Sequence, residues 1–334
     1  MSDAPPGACL VTGATGFIGS ALVRRLRSEG ATVRGLARTR RESAPPDFAF
    51  LDLATTPVPP AVLQGIQTVY HLAAKTHDLA ETEEADAEYW RINLEGTQRL
   101  IDAARRHGVQ RFVFVSSVKA TGEDTTGIVD ETRAPQPTTA YGRSKLATER
   151  FVLGEAGRYG FTAVCLRFPL VYGPGQRGNL SRMIAAIDRG SFPPPPANQN
   201  RRSMLHVENA VDALIVAARH PEAAGQVYFV TDAAPYSTRE LYEWIREALG
   251  KRPIGWAVPE MVFRGLAAAG DLARRSIGRR IGFDSDAFQK LLGSAAYAPG
   301  KIVRELGYAP GRDLRSAMPE LVADYRTDRS RKST

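Results

Sequence analysis

Cysteine is scarce in this sequence of 334 residues, which contains only Cys9 and Cys165. Each lies in an apolar run typical of a buried strand, so both are expected to be small core residues in a reducing compartment. This placement excludes a disulfide framework and gives no reason to expect a metal site. A cytoplasmic location is therefore expected.

Long apolar runs are also missing. No stretch approaches the roughly 18 consecutive apolar residues of a membrane span, and Met1 to Gly7 lacks the basic and then apolar pattern of a signal peptide. Positive charge is plentiful, because 44 lysine and arginine residues outnumber 36 acidic residues, for a net charge of +8. No aromatic interleaving accompanies this charge, so we expect small anionic ligands and no nucleic acid as partners.

Strand and helix patterns alternate along the first half of the chain. A hydrophobic content of 43% with 24% charged residues is typical of a globular protein. The patterns predict strands at 8–12, 32–36, 48–51, 68–72, 111–116 and 163–168, and helices at 17–29, 87–107 and 141–159. This alternation predicts an α/β fold with a doubly wound parallel sheet of the Rossmann type.

The texture of the sequence changes at Gly173, where glycine and proline separate shorter patterned pieces. We expect residues 1–172 to form a dinucleotide-binding domain. Residues 173–325 are expected to form mainly a smaller α/β substrate domain, with some segments returning to the first domain. Residues 326–334 are expected to be a disordered basic tail.

A glycine-rich turn follows the first predicted strand, with glycines at 13, 16 and 19. Gly13 permits the turn, Gly16 lets the backbone approach a diphosphate, and Gly19 lets the next helix pack on the strand. The helix N-terminus then faces the negative charge. The opening of the chain therefore predicts a dinucleotide site.

The end of the second strand bears on which dinucleotide fits. NAD sites commonly carry an acidic residue here, whereas an arginine suits the 2′-phosphate of NADP. This strand is followed by Arg38, Arg40 and Arg41, with no carboxylate. Two interpretations stay open: Arg38 contacts NADP, or these arginines face solvent and NAD binds through other contacts.

Tyr141 and Lys145 are spaced so that they share one face of a predicted helix. A nearby ammonium favours the phenolate, so we expect the pKa of Tyr141 to be lowered. Ser116 and Ser117 end the fifth strand, and strand ends of such a sheet form the ligand crevice. A tyrosine base and a serine hydroxyl are thus predicted near the cofactor.

Together these motifs resemble the extended short-chain dehydrogenase/reductase family, of the NAD-dependent epimerase/dehydratase type. The likeness is strongest to the UDP-glucose and UDP-N-acetylglucosamine 4-epimerases of polysaccharide biosynthesis. It rests on the Gly-x-x-Gly-x-x-Gly spacing, the Tyr-x-x-x-Lys pair and a serine five residues before Gly122, which selects Ser117. The resemblance implies that Ser117, Tyr141 and Lys145 are catalytic.

The resemblance also implies the other contacts. Cofactor contacts are implied at Gly13, Gly16, Phe17, Ile18, Gly19, Arg38, Asp52, Leu53, Leu72, Ala73, Ala74, Tyr141, Lys145, Phe168 and Pro169. Substrate contacts are implied at Ser117, Lys119, Asn179 and Arg202. Lys119 either contacts a substrate anion, from the same side as Ser117, or points to solvent.

Three functions follow from this resemblance. The first is epimerisation at C4 of a nucleotide-linked hexose through a 4-keto intermediate, with NAD or NADP held tightly. The second is NAD(P)H-dependent reduction of a 4-keto sugar nucleotide. The third, a non-catalytic dinucleotide sensor, is disfavoured because Tyr141 and Lys145 are both present. A homodimer is the oligomer that the resemblance suggests.

One further pattern lies near the end of the chain. Apolar residues recur at three- and four-residue intervals at Val262, Leu266, Ala269, Ala273 and Ile277, among several arginines. The pattern predicts an amphipathic helix, which either covers the substrate domain or makes a weak membrane-surface contact.

Overall fold

A parallel sheet of seven strands forms the centre of the protein. The computed structural model describes residues 7–40, 45–76, 83–122, 127–176, 178–197, 200–277 and 283–333. The sheet strands are β1 (Cys9–Thr12), β2 (Val33–Ala37), β3 (Phe48–Phe50), β4 (Thr68–His71), β5 (Arg111–Ser117), β7 (Thr162–Phe168) and β10 (Val227–Phe229). Their spatial order is β3, β2, β1, β4, β5, β7, β10, and neighbouring strands are parallel. The predicted doubly wound fold is confirmed.

Helices cover both faces of the sheet. One face packs against α1 (Phe17–Ser28), α7 (Val207–Arg219) and α11 (Gly300–Leu306). The other packs against α2 (Pro60–Leu63), α4 (Gly96–Arg106) and α5 (Ala140–Tyr159). Helices α7 and α11 and strand β10 follow residue 173. The C-terminal half of the chain therefore completes the central sheet and one of the two helix layers that cover it.

A second, smaller core lies in the C-terminal half. It is formed by α6 (Asn179–Asp188), α8 (Thr238–Ala248) and α12 (Leu314–Ser333), which bury apolar residues such as Ile184, Ile245 and Met318. Two short parallel pairs accompany it: β8 (Leu170–Tyr172) with β9 (Met204–His206), and β6 (Ile128–Val129) with β11 (Ala296–Tyr297). Helices α9 (Glu260–Ile277) and α10 (Ser285–Leu292) pack on each other.

The helix predicted at 87–107 is not continuous. Helix α3 (Glu83–Tyr89) leads into a π-helical turn, Trp90–Glu95, before α4 begins at Gly96. Such turns widen the helix by one residue and are frequent at functional sites. Periodicity cannot reveal this one, because its cause is tertiary: the buried Asn93 bonds to the segment after β4 and to α5.

The structure corrects the expectation that the basic residues at the end of the sequence form a disordered tail. Residues 326–333 continue α12, where Arg326 donates to the carbonyl of Leu249 at 3.2 Å and Arg329 pairs with Asp188 at 2.6 Å. Their positive charge suggested a solvated tail, but acceptors on α6 and α8 lie within reach of these arginines.

The apolar stripe of α9 does not face the protein. Val262 and Leu266 are 47% and 53% exposed, whereas Phe263 and Ala267 are buried against the neighbouring segment. The expectation that the stripe covers the substrate domain is therefore wrong, because α9 packs on its neighbours through a different face. The side chain of Ile277, and residues Arg279 and Arg280, lie outside the described part of the chain.

Candidate active site

The glycine loop is held in a conformation that other residues would not tolerate. Gly13 has φ +66°, and a Cβ there would lie 3.0 Å from the backbone nitrogen of Ala73. A Cβ at Gly19 would lie 2.2 Å from the carbonyl oxygen of Gly13. The loop, the first turn of α1 and the end of β4 are therefore packed backbone to backbone.

This loop fits the diphosphate of a dinucleotide. Gly16 is exposed and occupies the N-cap position of α1, where no side chain caps the helix. The first turn of α1 carries no acidic residue. A helix N-terminus without a capping side chain or an acid directs its amide groups and positive dipole end at a bound anion. Phe17 and Ile18 begin that helix and are partly buried.

Arg38 and Asp52 lie beyond the carboxyl ends of two neighbouring strands. They follow the paired strands β2 and β3, and Arg38 is exposed. One oxygen of Asp52 accepts the backbone N–H of Ala54 at 2.9 Å, and Leu53 is buried. Asp52 thus shapes its own turn, while Arg38 remains on the surface where an adenosine ribose would lie.

A chain of buried hydrogen bonds starts at the glycine loop. The hydroxyl of Thr12 accepts the backbone N–H groups of Leu72 and Ala73, both at 3.1 Å. Its own proton is then donated to Nδ1 of His71 at 2.7 Å, which leaves the ring proton on Nε2. That proton is donated to Thr97 at 2.8 Å. The bonding assigns a neutral His71 in a single tautomer.

The chain continues to the helix of the Tyr-x-x-x-Lys pair. Thr97 donates to the carbonyl of Asn93 in the π-helical turn. The amide of Asn93 accepts from the backbone of Lys75 at 2.8 Å and donates to the hydroxyl of Ser144 at 3.1 Å. Ser144 donates in turn to the carbonyl of Tyr141. Sequence reasoning missed this network, and a histidine at the end of a buried strand was the signal that could have revealed it.

Burial keeps this histidine neutral. His71 is 1% exposed, and burial together with the charge of Lys145 lowers its pKa to about 3. Phe112 and Phe114 flank the ring on β5. Protonation would replace an acceptor by a second donor facing Thr12, so the network excludes the charged form.

The structure brings Ser117 and Tyr141 together. Ser117 ends β5 and is 8% exposed, and its hydroxyl lies close enough to the phenol of Tyr141 to lower the pKa of that phenol. Tyr141 lies in the first turn of α5, which Thr139 caps by accepting from Gly142. Ser116 is buried on the same strand, and its hydroxyl has no hydrogen-bond partner among the residues that the structure describes.

The pKa of Tyr141 moves in the direction opposite to the one expected. Burial raises it to about 12, the hydrogen bond from Ser117 opposes that rise, and the neighbouring Tyr89 adds to it. Desolvation disfavours a phenolate more than the side chains around Tyr141 stabilise it. A cationic nicotinamide placed beside the phenol would supply positive charge that favours the phenolate.

Lys145 lies one turn further along α5. Its ammonium donates to the carbonyl of Val115 at 2.8 Å and lies 4.6 Å from the ring centre of Phe114. Burial lowers its pKa to about 8, and the carboxylate of Glu149 opposes this shift. At neutral pH Lys145 therefore remains mostly protonated.

Arg167 forms a buried ion pair with Glu149, the carboxylate that acts on Lys145. It bonds both carboxylate oxygens of Glu149, at 2.9 and 2.7 Å, and also donates to Thr121. Both members of the pair are buried. Phe168 ends β7 opposite Ser117 of β5, and Pro169 follows it at the same edge of the sheet.

The predicted substrate residues are more scattered. Lys119 lies in a 3₁₀ turn, not on a strand, and its backbone N–H donates to the Ser117 hydroxyl at 3.2 Å. Asn179 is exposed as the first residue of α6. Arg202 donates to the carbonyls of Gln289 and Gly293, at 3.3 and 2.9 Å. Its guanidinium is thus tied to the end of α10.

A nucleotide loop, a serine and tyrosine pair and a buried lysine on a doubly wound sheet define an oxidoreductase-type site. The model of the NAD dependent epimerase/dehydratase family matches residues 9–230, so the chain belongs to that family. It is accordingly an enzyme of the extended short-chain dehydrogenase/reductase type, as predicted, and its family is NAD-dependent.

Particular relatives differ in their reactions. A UDP-glucose 4-epimerase of Vibrio cholerae is 31% identical over 76% of this chain and 79% of the relative. A 3 beta-hydroxysteroid dehydrogenase/Delta 5-->4-isomerase of Mycobacterium tuberculosis is 32% identical over 74% of this chain and 70% of the relative. MoeE5, solved in complex with UDP-glucose and NAD, is 30% identical with a TM-score of 0.76, covering 96% of this chain and 99% of that chain.

Proposed function

We propose that this protein is a 4-epimerase of a nucleotide-linked hexose of the UDP-glucose or UDP-N-acetylglucosamine type. The observation that carries the proposal is that Ser117, at the carboxyl end of β5, and Tyr141, in the first turn of α5, lie beside each other, with Lys145 one turn away. This is where the ligand crevice of a doubly wound sheet lies. The likeness to MoeE5 and to the Vibrio cholerae epimerase supports the substrate class.

Each residue has a role in this proposal. The glycine loop and Lys145 would hold NAD, which would supply the hydride acceptor and later the hydride donor. Tyr141 as phenolate would take the proton of the sugar 4-hydroxyl, and Ser117 would donate to the oxygen that becomes the 4-keto group. After the keto sugar has turned over, Tyr141 would return the proton to that oxygen as C4 is reduced from its opposite face.

The far end of the substrate would lie against the C-terminal core. Asn179 and Arg202 are proposed to contact the nucleotide diphosphate. Because Nη1 of Arg202 is engaged by backbone carbonyls, the diphosphate would meet its Nε or Nη2. Lys119, next to Ser117, is proposed to contact the sugar or its phosphate. We further propose that the protein is a cytoplasmic homodimer and that its product is used in polysaccharide synthesis.

The purified protein with no added dinucleotide tests this function. UDP-N-acetylglucosamine and UDP-glucose should each be offered, and their C4 epimers quantified by NMR. We expect epimerisation without added cofactor, NAD released on denaturation and identified by mass, and a Tyr141→Phe variant with no measurable turnover. Full turnover by Tyr141→Phe, or no epimer from either sugar, would contradict the proposal.

A 4-keto reductase is the second candidate. The same Ser117, Tyr141 and Lys145 would protonate the reduced oxygen instead of passing hydride in both directions. The 32% identity to a hydroxysteroid dehydrogenase supports this alternative, because the name of that relative describes a net redox reaction and not an epimerisation. Stoichiometric consumption of NADH or NADPH with a 4-keto sugar nucleotide, and no epimerisation, would identify it.

A further inference from the structure

Helix α9 presents an apolar face that the rest of the described chain leaves uncovered. Its outward residues are Met261, Val262, Gly265, Leu266, Ala268, Ala269 and Leu272, all of them exposed. At 100° per residue they occupy one side of the helix, here called the outer face of α9. Met261 and Leu272 are 81% and 66% exposed. Contiguous apolar surface of this kind marks an interaction site.

The helix is fixed to the protein by its opposite side. Phe263 and Ala267 are both 3% exposed, and Phe263 stacks against Phe283 at 6.0 Å. Gly270 approaches so closely that a Cβ there would lie 2.2 Å from the carbonyl oxygen of Phe283. The outer face is therefore held in position by packing and does not result from a loosely attached helix.

The charged side chains of α9 that the structure describes lie off the outer face. Glu260, Arg264 and Asp271 fall on one narrow stripe of the helix. Arg264 pairs with Glu260 at 2.8 Å, and Asp271 accepts the backbone N–H of Ser285 at 3.1 Å. Both acids thus have partners within the protein, and neither borders the apolar residues with uncompensated negative charge.

The surrounding sequence is strongly basic. Basic residues within 251–280 are Lys251, Arg252, Arg264, Arg274, Arg275, Arg279 and Arg280, against the acidic pair Glu260 and Asp271. A second copy of the chain would bring this positive segment against itself, which charge repulsion disfavours. An anionic surface complements it.

An exposed tryptophan completes the pattern. Trp256, shortly before α9, is 61% exposed, and its backbone is held by Arg239. Tryptophan favours the boundary between headgroups and acyl chains, and an interfacial helix combines an apolar face with basic flanks. We propose that the outer face of α9 docks the enzyme on an anionic lipid bilayer, with Met261, Val262, Leu266 and Leu272 inserted among the headgroups.

Docking here would bring the substrate domain close to the bilayer. Helix α9 rests on α10, and the carbonyls of Gln289 and Gly293 at the end of α10 hold Arg202. The docking surface is thus one layer from a proposed substrate residue. No helix in the described part of the chain is long and apolar enough to span a membrane, so attachment would be peripheral. The docking proposal does not depend on which reaction the site performs.

Sedimentation with lipid vesicles tests the proposal with the full chain. Vesicles of phosphatidylcholine alone are compared with vesicles that also contain phosphatidylglycerol. We expect binding to the anionic vesicles, weakened at least about tenfold in a Leu266→Glu, Leu272→Glu double variant. Val303→Glu is the matched control, because Val303 is a 43% exposed apolar residue on α11. It should bind like the wild-type protein.

Site-specific labelling gives an independent readout that does not add charge. The natural residues Cys9 and Cys165 are buried, so a polarity-sensitive dye can be placed on Met261→Cys or, as control, on Val303→Cys. Anionic vesicles should shift the dye emission to the blue only at position 261.

Three results with lipid vesicles would overturn the proposal. They are no binding of the wild-type protein to anionic vesicles, equal binding by the double variant, and no blue shift at position 261. Sedimentation velocity without lipid would also refute it if the double variant abolished a wild-type dimer, because a second copy would then be the occupant of the face.

Discussion

The reactivity of the site depends on the pKa of the Tyr141 phenol, which burial raises and hydrogen bonding lowers. Tyr141 has a pKa raised to about 12 by burial, and the hydrogen bond from Ser117 is the side-chain interaction that opposes this rise. Lys145 adds a buried ammonium one turn away. Small changes in these groups should therefore change the pH at which the phenolate forms.

Ser117→Ala should lower kcat about 100-fold and shift the pH dependence of kcat/KM upward. In the free enzyme the change removes the hydroxyl that lowers the pKa of Tyr141, and in the substrate complex it removes the donor to the developing keto oxygen. Steady-state kinetics from pH 6 to 10 would measure both effects. The matched control is Ser116→Ala, because Ser116 has no hydrogen-bond partner within the described ranges. Equal losses in both variants would argue against the role of Ser117.

Arg38→Ala should weaken NADP binding about tenfold or more and leave NAD binding unchanged. A guanidinium that contacts the 2′-phosphate contributes roughly 1.5–3 kcal/mol through charge-assisted bonds, which NAD does not use. Calorimetric titration with each dinucleotide measures the ratio. Arg40→Ala serves as control, since Arg40 lies over the ring of Phe50 at 5.7 Å. A similar loss of affinity for both dinucleotides would show that Arg38 does not distinguish NADP from NAD by contacting the 2′-phosphate.

Several elements are joined at the site by the hydrogen-bond chain through His71. It ties β1 to β4 through Thr12, β4 to α4 through Thr97, and the π-helical turn to α5 through Asn93. Loop, turn and catalytic helix are therefore positioned as one unit. His71 is the titratable side chain in this hydrogen-bond chain.

Stability should fall on acidification because of this histidine. The pKa of His71 is about 3 in the folded protein, against about 6.5 when unfolded, so the unfolded chain binds the proton first. The full contribution is present above pH 6.5 and is lost as the pH falls toward 3, at up to about 1.4 kcal/mol per pH unit. Urea unfolding of wild-type protein and His71→Gln at pH 7, 6 and 5 isolates this slope. Parallel pH dependences would contradict the assignment.

At the scale of the whole molecule, the two cores are built from distant parts of the chain. Strand β10 and helices α7 and α11 complete the sheet layers, although they follow residue 173. Helix α12 closes the smaller core against α6 and α8. The end of the chain therefore contributes to the unit that would hold the substrate.

Deletion of residues 326–334 should lower the free energy of unfolding by about 1–2 kcal/mol. It removes the bond from Arg326 to Leu249 and the ion pair from Arg329 to Asp188, while Tyr325 keeps its bond to Asp188. Chemical denaturation provides the measurement. Arg331→Ala in the full-length chain controls for the loss of one positive charge. An unchanged free energy of unfolding for the truncated protein would show that residues 326–334 do not stabilise the fold.

Sequence reasoning predicted the first six strands of the central sheet within about one residue and the family from its glycine, tyrosine and lysine spacing, but it missed the short strand β6. It did not predict the π-helical turn at Asn93 or the rise in the pKa of Tyr141. Both depend on which groups surround a residue in space. Periodicity and pair spacing carry no information on that surrounding.

The sequence by itself determined the nucleotide loop, because φ +66° at Gly13 and the backbone contact at Gly19 require glycine wherever that turn is formed. It also determined that Tyr141 and Lys145 share a helix face, since that follows from 3.6 residues per turn. Only the tertiary structure decided that Ser117 lies beside Tyr141, that His71 is neutral, and that the apolar residues of α9 face outward. Those outcomes follow from neighbours far apart in the chain, whose burial and hydrogen bonds no local pattern specifies.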